Sequence, residues 1–146
     1  MYGETEAIRQ LASTMRGHGA AIHTEAKALL ARAESTPWSG LAADAMRLRA
    51  RTQVAALHRT AELHDEAATA LERHADEVDR LKALIAAIER KVMDLVSAAR
   101  DRLGGLIDAV TPDAVDELLA RFVPPPSGHR DWLSVDLPHL DLGSLP

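Results

Sequence analysis

Residues 36–40 read Thr-Pro-Trp-Ser-Gly and separate two long segments with helical periodicity. A proline ring clashes with an α-helical conformation at the residue before it, so the first helix is expected to end at Thr36. Ser39 can cap a second helix, and Gly40 allows either a close approach or a positive φ. Trp38 is wide enough to close the open end of a two-helix core or to insert into a partner. These residues predict a capped turn between two helices.

The segment before the turn, from about residue 5 to residue 35, has apolar residues at seven-residue intervals. Small residues occupy the three-and-four positions between them, so the stripe is narrow and suits one close neighbouring helix. Gly17 and Gly19 lie inside this helix, where each costs about 1 kcal/mol relative to Ala. They indicate a bend, a close approach of a neighbour, or positions that tertiary packing tolerates. The bulky members of the stripe are Ile8, Met15, Ile22 and Leu29.

The segment after the turn, from about residue 41 to residue 103, contains neither Pro nor Gly. Its apolar residues alternate spacings of three and four from Met46 to Ala99, which predicts one helix about twice as long as the first. From Val54 onward the alternation fails only between Val78 and Leu81. Because such a slip turns the stripe of a helix toward a new neighbour, we expect the packing partner to change there.

The remainder of the chain is shorter and rich in proline. Thr111 can cap a short helix that has Pro112 at its first position and extends to about Phe122, where three prolines end it. Hydrophobic residues make up 47% of the chain but aromatic residues only 3%, a composition typical of packed helices. The sequence predicts an all-α fold built on a long antiparallel helical hairpin. The expected divisions are the hairpin at residues 1–103, a short C-terminal helix at 104–123 and an extended Pro-rich tail at 124–146.

The first helix is too short to cover the second. Two helices joined by a short turn lie antiparallel, so cover from the first helix is expected to end near residues 71–75. At about 1.5 to 3 kcal/mol per large aliphatic side chain, leaving the rest exposed would forfeit on the order of 10 kcal/mol. The short helix can cover only the last turns. The rest is expected to need a second copy, another helical hairpin or a sharp break that folds the long helix on itself, and we favour a partner protein. The predicted partner-binding residues are Val78, Leu81, Ile85, Ile88, Val92 and Leu95.

The tail also carries apolar residues. Trp132, Leu133 and Leu137 are spaced along a polar, proline-bearing segment. Such a segment is either a disordered or loosely draped end or a flexible segment suited to docking in a groove. These three residues are the candidates for docking.

Composition argues against several classes of function. The net charge is -5, whereas proteins that bind nucleic acid usually carry a basic excess. With no cysteine there is no disulfide framework and no thiolate metal site. No apolar run approaches a membrane span, and the acidic N-terminus does not resemble a signal peptide. No phosphate loop, catalytic nucleophile or paired catalytic carboxylates stand out, so we expect no enzyme activity, no cofactor and no small-molecule substrate.

The seven histidines do not have the spacing of a metal site in a helical bundle, so we expect no metal. His64 falls on the apolar stripe and is expected either to be a buried polar residue that fixes register or to lie at a half-exposed edge. Four arginines follow the turn closely, and their positions are spread around the helix, which favours a solvated mixed face. They are Arg47, Arg49, Arg51 and Arg59.

The turn and its flanks resemble a known family. A long helix, a Trp-x-Gly turn and a second helix that opens with small residues, here from Pro37 to Met46, are similar to the Trp-x-Gly (WXG-motif) helical-hairpin proteins associated with type VII (ESX) secretion in actinobacteria and firmicutes. The resemblance covers roughly residues 5–95. It implies a non-enzymatic protein that pairs with another helical hairpin, as a heterodimer or homodimer, into a four-helix bundle.

The resemblance also implies a biological role. Such a protein would be a secretion substrate or a secretion-associated subunit, cytoplasmic before export and secreted or at the cell surface afterwards. One member of such pairs usually carries a Tyr-x-x-x-Asp/Glu signal after its second helix, and the only tyrosine here is Tyr2. Export would therefore be directed by the partner. The alternative from another class is a self-associating structural or scaffolding bundle unrelated to export.

Overall fold

A computed structural model describes residues 5–105 and 113–141 of the chain. It contains two long helices, α1 (Thr5–Ser35) and α2 (Leu41–Gly105), a short helix α3 (Ala114–Ala120) and a 3-10 helix (Arg130–Ser134). Within those two ranges there is no β-strand. The prediction of an all-α fold with two long helices and a short third one is confirmed.

The contacts of the chain fall into two compact units, residues 2–77 and residues 78–146. Helix α2 runs without interruption through the boundary. Its neighbour in the first unit is α1, whereas in the second unit it is the C-terminal segment. The boundary lies where the spacing slip at Val78 predicts a change of packing partner, and this prediction is confirmed.

The contact between α1 and α2 in the N-terminal unit, here called the seam, has small residues at its centre. The four predicted bulky positions of α1 are only half-buried, and the fully buried positions lie between them, again at seven-residue intervals. Small side chains at the centre of a helix pair allow a short distance between the axes, with the larger side chains flanking the contact. The small residues of the stripe, and not its bulky members, therefore form the centre of the contact. The buried residues are Ala12, Gly19, Ala26 and Ala33 on α1 and Ala43, Ala50, Val54, Ala61, Ala68 and Ala75 on α2.

At Gly19 the backbone of α1 lies so close to α2 that there is little room for a side chain. A Cβ atom at this position would lie 2.9 Å from the carboxylate Oδ1 of Asp65 and 3.1 Å from the carbonyl oxygen of Ala61. At Gly17 a Cβ atom would meet nothing within 4 Å. Of the readings that the sequence left open, close helix approach applies to Gly19 and plain tolerance to Gly17.

Ion pairs along the sides of the seam join α1 to α2 in antiparallel order. Arg9 at the start of α1 pairs with Asp76 at 2.9 Å, and Glu34 at its end pairs with Arg51 at 2.6 Å. This order is consistent with the predicted hairpin. It also places the end of cover from α1 next to Asp76, close to the residues 71–75 expected from helix length.

The pair formed by Arg16 and Glu72 is the most extensive of these contacts. The guanidinium of Arg16 donates to both carboxylate oxygens of Glu72, at 3.1 and 2.5 Å, and lies 3.4 Å from the hydroxyl of Thr69. The hydrogen bonds from Arg16 hold the pKa of Glu72 below its ordinary value, and they raise the pKa of Arg16.

Four histidines meet across the same seam. The Nδ1 atoms of His23 and His58 are 2.7 Å apart, so one imidazole donates a hydrogen bond to the other. The ring of His18 meets the edge of His64, whose Nδ1 lies 2.9 Å from the carbonyl oxygen of Thr60. His64 is half-buried, which agrees with the half-exposed edge rather than with a buried residue that fixes register.

The C-terminal unit has a core of larger side chains, all supplied by the chain itself. The second half of α2 contributes one face, α3 contributes Leu119, and the tail contributes Trp132 and Leu137. Leu84, Leu95, Val115, Phe122, Val135 and Leu140 pack against it. The buried residues from α2 are Ile85, Ile88, Val92, Val96 and Ala99.

This core corrects the expectation that a partner must cover the middle of α2. Ile85 and Ile88 are each 2% exposed and Val92 is fully buried. Leu95 packs against the same cluster, while Val78 and Leu81 are half-buried. The sequence argument assumed that only a short helix could fold back, but the proline-rich tail folds back as well.

The tail docks on its own chain and not in a partner's groove. Trp132 is 1% exposed within the 3-10 helix, and its indole N–H donates to the carbonyl oxygen of Pro126 at 2.9 Å. Leu137 is buried, whereas Leu133 is 39% exposed. The amide of Gly128, whose φ is +71°, donates to the Glu89 carboxylate of α2 at 3.2 Å.

Helix α3 begins two residues later than the sequence predicts. Its N-cap is Asp113, whose side chain accepts a hydrogen bond from the amide of Val115 at 3.1 Å. The predicted cap, Thr111, and Pro112 lie outside the described residues. Asp116 in the first turn forms a bidentate pair with Arg102 of α2 at 2.6 and 2.9 Å, and these hydrogen bonds lower the pKa of Asp116.

Candidate functional site

The turn between α1 and α2 has the geometry that its residue types suggest. Gly40 has a φ of +101° and a Cβ there would meet nothing within 4 Å, so the glycine serves conformation and not close approach. Its carbonyl accepts the hydrogen bond from the amide of Asp44 at 3.1 Å that opens α2. Gly40, and not the predicted Ser39, is therefore the residue directly before the helix.

Trp38 is 50% exposed, so it does not close the end of a buried core. Its amide donates to the carbonyl oxygen of Thr36 at 2.8 Å, which tightens the turn. Of the two roles that the sequence left open for this side chain, the first is therefore wrong, and insertion into a partner stays a prediction.

Arg47 fixes the turn, a role that the sequence did not suggest. Its guanidinium donates to the carbonyl oxygen of Trp38 at 2.6 Å and to that of Thr36 at 3.0 Å. It also lies 3.6 Å from the carboxylate of Asp44. The side chain is only 20% exposed, so the prediction of a solvated face is wrong for this arginine. Because every residue has a backbone carbonyl, hydrogen bonds to such groups cannot be recognised from residue types in the sequence.

A cavity of about 530 Å³ lies next to the turn, between the end of α1 and the start of α2. Its apolar lining comes from Leu29, Ala33, Ala45, Met46 and Ala50, and its polar lining from Arg32, Thr36, Arg49 and Gln53. The volume is that of an ordinary ligand or side-chain pocket.

Large apolar side chains are exposed in the same unit. Leu41 is 90% exposed and Leu48 is 64% exposed; both lie on the first turns of α2. Leu11 and Leu63 are exposed as well. Of the predicted partner-binding set, Ile85, Ile88, Val92 and Leu95 contribute to the core of the C-terminal unit, whereas the predicted turn motif lies in the N-terminal unit.

Neither a metal site nor a membrane span is expected from the sequence. In residues 5–105 and 113–141, no three histidine, aspartate or glutamate side chains are grouped as a metal site would require. None of the helices in these ranges has a stretch that is long and apolar enough to cross a membrane.

Residues 1–89 match the family described as "Putative T7SS secretion signal domain", where T7SS denotes the type VII secretion system. The match includes the whole N-terminal unit with its turn and cavity, and it covers more than half of the 146 residues. No curated protein and no solved structure matches significantly. The chain therefore belongs to this type VII secretion signal domain family.

Proposed function

We propose that the chain is a non-enzymatic type VII secretion substrate or secretion-associated subunit, and that its N-terminal unit is the export signal. The observation that carries the proposal is the family match over residues 1–89, which contains the unit formed by residues 2–77. Under this proposal the chain is cytoplasmic before export and secreted or surface-associated afterwards.

The proposal includes pairing with another helical-hairpin protein. The antiparallel contacts of α1 and α2 support a hairpin, and residues 38–40 fit the Trp-x-Gly motif of the WXG proteins. Because Ile85, Ile88 and Val92 are buried in the chain's own core, the partner surface lies elsewhere. The exposed apolar side chains near the turn are the better candidates, since large apolar groups that are exposed together often mark interaction sites. They are Trp38, Leu41 and Leu48.

Export can be tested with an epitope-tagged chain in a bacterium that has a type VII secretion system. We expect the tagged protein in the culture medium or at the surface of the parent strain, and only in the cytoplasm of a strain whose secretion ATPase is inactivated. Equal amounts outside both strains, or none outside either, would contradict the proposal.

The contribution of the turn can be separated from folding. Trp38→Ala should reduce export and leave the helical content unchanged, because the side chain is half-exposed. Leu133→Ala, at a similarly exposed position in the C-terminal unit, is the matched control and should leave export unchanged.

Pairing has its own measurement. Sedimentation equilibrium of the purified chain, alone and after co-expression with the product of a neighbouring reading frame, should show a heterodimer in the second sample. A stable homodimer that forms alone and excludes every such product would instead favour a self-associating scaffold unrelated to export.

A further inference from the structure

The cavity next to the turn combines apolar lining with two arginines whose guanidinium groups have no partner among the described residues. Leu29, Ala33 and Met46 supply apolar surface, and Arg32 and Arg49 line the same cavity. Neither guanidinium has a hydrogen-bond or ion-pair partner within residues 5–105 and 113–141. An apolar pocket flanked by unpaired guanidinium groups fits a ligand that is both apolar and anionic.

The unpaired state is not general among the arginines of this region. Arg47 is held by the carbonyl groups of the turn, and Arg51 by the carboxylate of Glu34. Of the four arginines in residues 27–53, only Arg32 and Arg49, which line the cavity, have guanidinium groups without a partner among the described residues.

The local charge has the opposite sign to that of the whole protein. Residues 27–53 contain five basic and two acidic side chains, giving +3, whereas the whole chain carries -5. A negatively charged ligand is therefore attracted to this end of the N-terminal unit, while the rest of the chain repels it.

We propose that this cavity receives an acidic amphipathic helix of a partner protein. A large apolar side chain of the helix enters the cavity, and carboxylates on the adjacent turn pair with Arg32 and Arg49. An arginine binds a carboxylate through two parallel hydrogen bonds, which gives both affinity and geometry. The unbranched side chain of Met46 can adapt to the shape of the inserted residue. A small inorganic anion would satisfy the arginines but leave the apolar lining uncovered.

This inference rests on the proposed function, because it names the chemistry of the partner that the export signal binds. The two are distinguishable. Export is tested by the secretion assay described above, whereas the cavity is tested with purified protein and peptides. Failure of the peptide experiment alongside ATPase-dependent export would remove only the inference.

The test is a selection from a library of displayed helical peptides, with one face randomised, against the full-length chain. The expected binders carry a large apolar residue and an Asp or Glu within one helical turn of it. A synthetic copy of the best binder should bind Arg32→Gln/Arg49→Gln at least tenfold more weakly than it binds the wild type. The control variant Arg59→Gln/Arg73→Gln removes the same net charge from exposed positions outside the cavity and should change the affinity less than twofold.

A second comparison ties the effect to the carboxylate. Replacing the acidic residue of the peptide by its amide should weaken binding to the wild type about as much as the double arginine variant does, with little further loss when both are combined. The proposal is overturned if no peptide is recovered or if the recovered peptides lack acidic residues. It is also overturned if the two double arginine variants bind the peptide with equal affinity. Dodecanoate, a fatty-acid anion, is an apolar and anionic ligand that is not a peptide. The proposal is also overturned if dodecanoate binds in a manner that depends on the two arginines and no peptide does.

Discussion

Replacing Gly19 by alanine tests the close packing of the helical pair, and Gly17 provides the control in the same helix. Both glycines lie in the interior of α1, so each replacement should gain about 1 kcal/mol of helix propensity. At Gly17 the new methyl group meets nothing within 4 Å, and the gain should appear in full.

At Gly19 the same methyl group is opposed by contacts. It would lie 2.9 Å from Oδ1 of Asp65, which can rotate away, and 3.1 Å from the carbonyl oxygen of Ala61, which can move only with the backbone of α2. Overpacking of this kind costs about 1 to 3 kcal/mol. We therefore expect Gly19→Ala to be less stable than Gly17→Ala by about 1 to 3 kcal/mol.

The assay is hydrogen exchange of peptides from α1 in the full-length chain, because it reports the opening of this helix separately from the C-terminal unit. Gly17→Ala should slow exchange, and Gly19→Ala should leave it unchanged or accelerate it. In an Asp65→Ala background the penalty at Gly19 should shrink but persist, since the carbonyl contact remains. Equal slowing of exchange in the two glycine variants would refute the close approach.

Three other predictions concern the turn and the ion pairs. Gly40→Ala should lower the free energy of unfolding by about 1 to 2 kcal/mol because of the positive φ, whereas Ser39→Ala should change it by less than about 0.5 kcal/mol; urea unfolding checks both. Arg47→Met retains the aliphatic stem but loses the hydrogen bonds to two turn carbonyls, so the free energy of unfolding should fall by about 1 to 3 kcal/mol and Trp38 fluorescence should change. Because the pKa of Glu72 is lower in the folded chain than its ordinary value of 4.5, the contact with Arg16 stabilises the fold at neutral pH. This stabilisation decreases as the pH falls below 4.5 and is lost once the carboxylate is protonated in the folded state as well. Thermal unfolding should accordingly show Glu72→Gln to be less stable than wild type at pH 7, with the difference disappearing in acid; a constant difference would contradict the stabilising role of this pair.

The helices and the turn could be predicted because their signals are local. Proline and glycine fix the ends of α1 and the start of α2, and the spacing slip at Val78 marks the change of neighbour. In the seam, however, bulky and small residues alternate with the same period. Periodicity cannot say which row lies at the centre, because that depends on the distance between the helices.

The position of the tail could not be predicted because it depends on contacts between distant residues. Trp132 lies 27 positions after Gly105, the end of the helix α2 that it covers, on a segment whose prolines are typical of extended, unattached chain. Trp132 packs on the apolar face of α2 that the lengths of the other helices had left without a neighbour. The cavity was also missed, because the two free arginines differ from their paired neighbours only in their surroundings.

The tail covers the second half of α2 within its own chain. The most direct test uses Trp38→Phe, in which Trp132 is the only tryptophan, and measures emission and acrylamide quenching over a wide range of protein concentration. We expect blue-shifted emission and protection from the quencher at every concentration, since Trp132 is 1% exposed within a single chain. Red-shifted, readily quenched emission, or protection that develops only as the concentration rises, would contradict it.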